Sequence, residues 1–308
     1  MEMYPKTLME LERMFAAEEA CREYLALLRW PEGYRCPRCD CEKGFSLARG
    51  LYECADCHRQ TSITAGTIFQ DTRKPLQMWF RAMWHVTNEK NGVSAASLQR
   101  ALGLGSYQTA WTWLHKLRRA MVRPGRDRLS GEIEVDETLI GGEEEGVRGR
   151  QTHAKMLVVI AAQVRGSSIG RIRMRHIPDA SAASLLPFIQ DAIEPGSMII
   201  TDGWSSYAAV DTLGYGHEVK VLRRQGKDAA TRLLPRVHRV ASLVKRWIMG
   251  THQGSVSPDH LDCYLDEYTF RFNRRTSRSR GKLFYRLVQQ AAQVDPVTYK
   301  EIADSPPS

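Results

Sequence analysis

The chain of 308 residues lacks the long apolar segments that mark a membrane protein. No run of about eighteen apolar residues occurs, and the N-terminus has no basic segment followed by an apolar one, which is the pattern of a secretory signal peptide. Charged residues make up 26% of the chain. We therefore expect a globular, cytoplasmic protein, and a chain of this length predicts more than one domain.

Acidic residues are scarce in one part of the chain, residues 220–282. This stretch has fifteen Lys or Arg and five Asp or Glu, so it supplies +10, whereas the net charge of the whole chain is +9. Aromatic residues interleave with these cations, as at Trp247 and Phe270. The pattern is typical of a nucleic-acid-binding face, although an ordinary solvated surface also carries Lys and Arg.

Cysteine is also sparse, and its odd number, seven, argues against a disulfide framework. Four cysteines form two C-x2-C pairs separated by fourteen residues. Two such pairs predict a tetrahedral structural zinc in a short ribbon that is too small to fold without metal. The predicted ligands are Cys36, Cys39, Cys54 and Cys57. Cys41 and His58 adjoin the pairs and are the competing ligands.

Helical patterns surround this ribbon. Apolar residues recur at helical spacing within 7–29, and an apolar helix is predicted from Pro75 to about Gly92. Two further helices, 95–102 and 107–121, flank a glycine turn and indicate a helix-turn-helix, with an ordinary helical hairpin as the alternative. The residues of the second helix that we expect to contact DNA are Gln108, Thr109, Lys116, Arg118 and Arg119.

Short apolar stretches predict the strands of the largest domain. Ile133 and Val135 alternate with charged residues in a strand that ends at Asp136 and Glu137. The later elements are strands at 156–164 and 170–177, a helix at 180–193, a strand ending at Asp202, a helix at 204–213 and a strand at 217–222. This order is that of an RNase H-like mixed sheet flanked by helices, in which the first and fourth strands are neighbours. The fold class is therefore α/β, with a zinc ribbon and a helical helix-turn-helix domain before the sheet.

The stretch from Ser197 to His252 carries the residues that indicate chemistry. A buried strand delivers Asp202 to its carboxyl end, where open α/β sheets place their active sites. His238 opens a helical segment, and Lys245 follows it seven residues later on the same face. A carboxylate, a metal-capable imidazole and a cation together suggest phosphoryl transfer.

These assignments predict four domains. They are N-terminal helices at 1–33, the zinc ribbon at 34–70, the helix-turn-helix domain at 75–123, and a catalytic domain with C-terminal helices at 130–300.

The motifs resemble bacterial insertion-sequence transposases of the DDE, RNase H-like superfamily, in the branch with a zinc ribbon and a helix-turn-helix. The matching segments are RCPRC with ECADC, EVDETLIGG, TDGWSSY, VHRVASLVKRW, GTHQG and HLDCYLDEYTFRFNRR. They occur in the family's order along nearly the whole chain.

The resemblance implies an enzyme that cuts and joins insertion-sequence ends, with two Mg²⁺ or Mn²⁺ ions. By it, Asp136 is the first metal-binding acid, Asp202 the second, and Lys245 the basic residue seven positions beyond the third ligand. His238 stands at that third position, where Glu is usual. In the basic stretch we expect Arg274 and Arg275 to contact the DNA backbone.

The implied partners are double-stranded DNA, as terminal inverted repeats and as target, and a second copy of the chain. At least a homodimer is expected because two DNA ends must be paired, and the protein would be associated with the nucleoid. The alternative from a different class is a catalytically inactive, transposase-derived, sequence-specific DNA-binding protein. A stand-alone nuclease of the same fold is a third interpretation.

The third metal ligand also has an alternative. His238 would then cap its helix or pack beneath Trp247, and a downstream acid would bind the metal. The acids that could replace it are Asp259, Asp266 and Glu267. Glu134 and Glu137 flank the first acid, and we expect half-exposed side chains there, while Trp204 and Tyr207 are expected to pack the helix after Asp202.

Overall fold

The computed structural model describes residues 3–47, 50–123, 125–141, 155–220, 233–254 and 256–304. The chain divides into two compact units. Residues 1–123 with 276–305 form the first, called here the N-terminal unit, and residues 124–275 form the second, the sheet unit. In the part of the chain that is described, no helix is long and apolar enough to span a bilayer.

The elements of the first 123 residues are α1 (Leu8–Met14), α2 (Glu18–Arg29), β1 (Gly44–Leu47), β2 (Leu51–Cys54), β3 (Gln60–Ser62), α3 (Leu76–Asn88), α4 (Ala95–Leu102) and α5 (Tyr107–Ala120). Those that follow are β4 (Glu132–Ile140), β5 (Met156–Arg165), β6 (Ser168–Ile177), α6 (Ala182–Ala192), β7 (Met198–Thr201), β8 (Gly216–Val219), α7 (Pro235–His252), α8 (Leu261–Phe272), α9 (Arg280–Ala291) and α10 (Tyr299–Ala303). The charged Gly-rich segment after β4 lies largely outside the described residues.

The helix pair α4 and α5 forms as its capping residues predict. Ser94 accepts a hydrogen bond from the Ser97 amide at the start of α4, and Ser106 accepts one from Thr109 at the start of α5. Gly103 ends α4 in the left-handed conformation, with φ of 62°, which glycine adopts without steric penalty. Two capped helices joined by a short turn are therefore confirmed.

The last helices belong to the N-terminal unit, so the expected domain of residues 130–300 is wrong at its C-terminal end. Phe284 of α9 lies 5.7 Å from Phe80, between ring centroids, and 5.9 Å from Phe15. A Cβ at Gly281 would fall 1.6 Å from the Pro5 carbonyl oxygen, so the close approach requires glycine. An amphipathic pattern shows which face of a helix is buried but not against which part of the chain, which is why the sequence misplaced α9.

The sheet of the sheet unit has the order β6-β5-β4-β7-β8. Strands β4, β5 and β6 pair antiparallel, whereas β7 pairs parallel with β4 and β8 parallel with β7. One face is buried by a core that includes Val240, Val244 and Leu265 of α7 and α8. The other face packs on Phe188 and Ile189 of α6. This is the RNase H-like mixed sheet, with helices on both faces.

The segment after β7 differs from the expected helix at 204–213. It forms two 3₁₀ turns, Ser205–Tyr207 and Asp211–Leu213. Tyr207 and Val210 are both fully buried, and a spacing of three residues places side chains on one face of a 3₁₀ turn. The segment also ends at Gly214, whose φ of 84° cannot continue a helix.

Candidate active site

Two carboxylates lie level with each other on neighbouring parallel strands. The register of β4 and β7 pairs Glu134 with Ile200, so the next residues on the same faces are Asp136 and Asp202. Ile200 packs in the core beneath α7, and Glu134 bonds to α7. Both carboxylates therefore face α7, on strands roughly 5 Å apart.

Backbone amides orient both acids. The Glu137 amide donates to Asp136 Oδ1 at 2.9 Å, and the Trp204 amide donates to Asp202 Oδ1 at 3.0 Å. Asp202 directly follows β7 and precedes Gly203, whose φ is 83°. A turn at this point carries the chain away and leaves the carboxylate at the end of the strand.

His238 joins the acids from the second turn of α7. Its Nε2 lies 3.4 Å from Asp136 Oδ2, at ion-pair distance, but this buried nitrogen makes no hydrogen bond to any described residue. Burial lowers the pKa of His238 below its ordinary value, although the carboxylates of Glu134 and Asp202 act in the opposite direction. The direction of this shift favours the neutral imidazole, which is the form that binds a metal.

The three donors fit divalent cations. Two carboxylates and one neutral imidazole suit Mg²⁺ or Mn²⁺, with nitrogen favouring the latter. In two-metal phosphoryl-transfer sites such ions lie about 3.5–4 Å apart.

Glu134 is buried and caps α7, contrary to the half-exposed side chain expected. It is 2% exposed and accepts hydrogen bonds from the backbone amides of Arg236 and Val237 at 2.7 and 2.9 Å. The Arg236 guanidinium donates to its other oxygen at 2.8 Å. A carboxylate at a helix N-terminus satisfies amides that lack partners within the helix. Glu134 thus fixes the start of α7, two residues before His238.

Glu137 has a similar role on the opposite face of β4. The Tyr207 hydroxyl donates to Glu137 Oε2 at 2.8 Å, and Tyr207 is fully buried. Burial, and then the Glu137 carboxylate, raise the pKa of Tyr207 well above its ordinary value. The contact ties β4 to the segment that begins at Asp202. Trp204 was expected to pack there too, but it is 42% exposed, with its indole N–H bonded to the Ala180 carbonyl.

Lys245 lies two turns beyond His238 on α7, and Lys155, which the sequence did not single out, lies near it. Although Lys245 as a whole is exposed, burial of its ammonium and the neighbouring Lys155 charge lower the pKa of Lys245. Lys155 directly precedes β5, next to the end of β4. No sequence motif marks Lys155, because only the pairing of β4 with β5 brings it to this position.

The acids proposed as alternatives to His238 belong to another part of the sheet unit. Helix α8 lies along β6, where Asp262 accepts a hydrogen bond from the His176 amide. Strand β6 is two strands from β4, about 10 Å away. Asp266 and Glu267 are on α8, Glu267 is only 1% exposed, and Asp259 is exposed in the preceding 3₁₀ turn. Of these candidates, His238 is the one beside Asp136.

The residues of α5 expected to contact DNA differ in accessibility. Gln108 and Arg119 are exposed, and Thr109 and Lys116 are partly exposed. Arg118 is only 2% exposed, with its guanidinium 3.3 Å from the His115 ring. A buried side chain cannot reach a DNA backbone, so the expectation for Arg118 is wrong. The charge of Arg118 indicated a surface residue, but the residue lies on the inner face of α5 and is therefore buried.

Arg274 and Arg275 use their side chains within the fold. Their guanidinium groups lie 3.9 Å from the ring centroids of Phe270 and Phe272. Arg274 also donates to the Phe270 carbonyl, and Arg275 donates to the carbonyls of Phe272, Gly170 and Ile169. These contacts hold the end of α8 to β6, so the predicted backbone contacts with DNA would have to compete with them.

The ribbon cysteines converge as a zinc site requires. The Sγ atoms of Cys36 and Cys57 lie 3.6 Å apart, and those of Cys39 and Cys54 lie 3.5 Å apart. All four ligand atoms lie within 4.8 Å of one another, and tetrahedral Zn–S bonds of about 2.3 Å give sulfur separations near these values. Cys41 contacts the Lys43 backbone instead. The four thiolates fit structural zinc.

Comparison with known proteins agrees with this architecture. The mixed sheet with helices on both faces gives the sheet unit an RNase H-like fold. Residues 128–273 match the ISXO2-like transposase domain, and residues 16–60 match the transposase zinc-ribbon domain. Over these two ranges the chain is similar to transposases that carry a zinc ribbon.

Two relatives are also proteins of transposable elements or transposase-like proteins. An uncharacterized protein in transposable element ISH50 of Halobacterium salinarum is 27% identical over 302 residues, covering 91% of this chain and 98% of the relative. An uncharacterized transposase-like protein of Haemophilus influenzae is 23% identical over 113 residues, which is 37% of this chain and 89% of the relative.

Solved structures show weaker likeness. The Mos1 transposase paired-end complex with left transposon end has a TM-score of 0.32 and 12% identity, covering 73% of this chain and 79% of that one. The pre-cleavage Mos1 transpososome has a TM-score of 0.27 and 12% identity, over 78% and 82%. These TM-scores are too low to bear on the site.

Proposed function

We propose that this chain is a catalytically active transposase that cuts and joins the ends of its insertion sequence by metal-dependent phosphoryl transfer. The observation that carries the proposal is the convergence of Asp136, Asp202 and His238 on one face of the sheet, with the imidazole Nε2 3.4 Å from a carboxylate oxygen. An inactive descendant would not be expected to retain this convergence.

Each side chain has a distinct role in the proposed reaction. Asp136, Asp202 and His238 would together hold the Mg²⁺ or Mn²⁺ ions. When bound, such ions activate a water or a 3′-hydroxyl and stabilise charge on the phosphate. Lys245 and Lys155 would hold a neighbouring DNA phosphate, fixing its position without reading sequence.

The proposed partners are the terminal inverted repeats and the target DNA. Pairing of two ends requires at least a dimer in the active complex. Transposon DNA is the proposed class of substrate because the chain is similar to transposases over its zinc ribbon and its sheet unit, and it would act on DNA of the nucleoid. The four cysteines would hold one structural zinc.

Cleavage assays on the element's own terminal repeats test the proposal. Asp136→Asn, Asp202→Asn and His238→Ala should each lower the cleavage rate by more than the roughly 100-fold that loss of an outer-shell group causes. His238→Glu should retain activity and shift the preference from Mn²⁺ toward Mg²⁺, because carboxylate oxygen suits the harder ion. Mn²⁺ affinity of the folded variants gives a second, activity-independent measurement.

Two results would contradict this proposal. Near-parental cleavage by His238→Ala would remove His238 from the site. A parent protein that binds its terminal repeats but cleaves them in neither Mg²⁺ nor Mn²⁺ would instead favour the alternative, a catalytically inactive, sequence-specific DNA-binding protein.

A further inference from the structure

A groove of about 420 Å³ lies in the N-terminal unit beside the outer face of α5. Residues 70–74, which precede α3, form one wall, and the first turns of α5 form the other. The polar and charged side chains that could bind a ligand in this groove include Arg73, Lys74, Gln108, Thr112 and Lys116. The sequence singled out the α5 wall but not the opposite one.

The wall formed by residues 70–74 is held in place from below. The Trp79 indole N–H donates to Thr72 Oγ1 at 2.9 Å, and the Lys74 amide donates to the same oxygen at 3.2 Å. The Trp79 ring stacks on Trp113 of α5, with 15° between the ring planes. Since both indoles are almost fully buried, they form a fixed floor that joins the two walls.

The charges on the groove are mainly positive. Arg73 and Lys74 are exposed, and their side chains make no hydrogen bond or ion pair with any other described residue. Lys116 is partly buried, with its ammonium 3.4 Å from the Ile68 carbonyl oxygen, and burial lowers the pKa of Lys116. Against these three cations stand the carboxylate of Asp71, which lines the groove, and that of Glu301, which also acts on the Lys116 ammonium. An arriving anion would compensate the charge that burial disfavours at Lys116.

The opposite wall offers hydrogen-bonding groups suited to base edges. Gln108 is exposed at the second position of α5, and Thr112 lies one turn later on the same side. The N-terminal turns of a helix-turn-helix recognition helix are the part that contacts bases. Glutamine pairs in bidentate fashion with adenine in the major groove.

We propose that this groove holds one strand of duplex DNA, with its phosphates on Arg73, Lys74 and Lys116 and its base edges against Gln108. The inference rests on the proposed function, because it locates the DNA contact of the N-terminal unit. The groove is too small for a double helix, so the strand would lie along it at the edge of the duplex. Residues 70–74 thereby become a second DNA-binding element beside α5.

Salt-dependent binding by the full-length protein tests the phosphate contacts. The binding constant for a fluorescein-labelled duplex of mixed sequence is measured by anisotropy over a salt series. Arg73→Gln with Lys74→Gln should reduce the log–log salt slope by about 1.8, since each lost phosphate contact removes about 0.9. The matched control, Lys6→Gln with Arg13→Gln, removes two exposed cations of the same unit that do not line the groove and should leave the slope unchanged.

A second variant tests base contact separately. Gln108→Ala should leave the salt slope unchanged and reduce the preference for the element's terminal repeat over the mixed duplex by about tenfold. Near-ultraviolet circular dichroism reports the packed Trp79 and Trp113 rings and verifies that each variant is folded.

The failures of the two proposals are distinguishable. If the parent binds DNA with a clear salt slope and the Arg73 and Lys74 variant has the same slope, the groove does not hold DNA phosphates and the inference is wrong, while the proposed function stands. If the parent binds neither duplex, DNA binding itself fails, and the proposed function fails with it.

Discussion

Glu134 should set the stability of α7 rather than bind metal. Both of its oxygens accept hydrogen bonds from the start of α7, two from amides and one from the Arg236 guanidinium, at 2.7 to 2.9 Å. Removal of one partner from a buried ion pair costs about 3–5 kcal/mol, which we expect for Glu134→Ala. Glu134→Gln keeps the size and one acceptor but loses the charge, so we expect about 2 kcal/mol.

Native-state hydrogen exchange measures this effect locally. A loss of about 2 kcal/mol should make amides of α7 exchange roughly 30-fold faster in Glu134→Gln. Glu132→Gln is the matched control, because Glu132 lies on the same strand, two residues away, and is exposed. Surface substitutions of this kind usually change stability by less than about 0.5 kcal/mol.

The opposite pattern would refute this reasoning. If α7 in Glu134→Gln exchanges as in the parent, the carboxylate does not hold the helix. If Mn²⁺ affinity falls at the same time, Glu134 binds metal directly, and the site contains an additional acid.

The remaining predictions concern the zinc ribbon and the end of α8. The double variant Cys36→Ser with Cys57→Ser should lose the one zinc per chain in elemental analysis. Cys41→Ser is the control and should keep the zinc, because the Cys41 thiol contacts the Lys43 backbone. Unchanged zinc in the double variant would exclude the assigned ligands. Arg275→Glu should destabilise the sheet unit by about 2 kcal/mol, through lost carbonyl and ring contacts, and lower its calorimetric Tm by about 4–8 °C. Arg246→Glu, at an exposed position on α7, should change the Tm little, and equal shifts in the two variants would contradict the assigned contacts.

Local patterns in the sequence predicted much of the site. A strand-end position indicated Asp202, and helical spacing placed His238 and Lys245 two turns apart. Asp136 was also expected at a strand end, but it lies within β4, which continues to Ile140. These features follow from strand alternation and helical spacing, which can be read from neighbouring residues without knowledge of the fold. The parallel pairing of β4 with β7 then brings the two acids level, as the order of elements indicated.

The sequence was less informative where burial contradicts residue type. Glu134 and Arg118 are charged, which indicates exposure, yet each is 2% exposed. Their partners are distant in the chain or on an inner helix face, so no local pattern reveals them. The same limit applied to Lys155, whose position depends on strand pairing.

The place of α9 in the N-terminal unit has a consequence for synthesis. Phe284 completes an aromatic core with Phe15, Phe80 and Trp84, which the ribosome makes some 200 residues earlier. At a translation rate of 5–20 residues per second, the 156 residues between 123 and 280 take roughly ten to thirty seconds to emerge. During that interval the first-made part of the unit lacks the helix that covers its aromatic core. A chain truncated before α9 would therefore expose Phe15, Phe80 and Trp84 to chaperones and proteases.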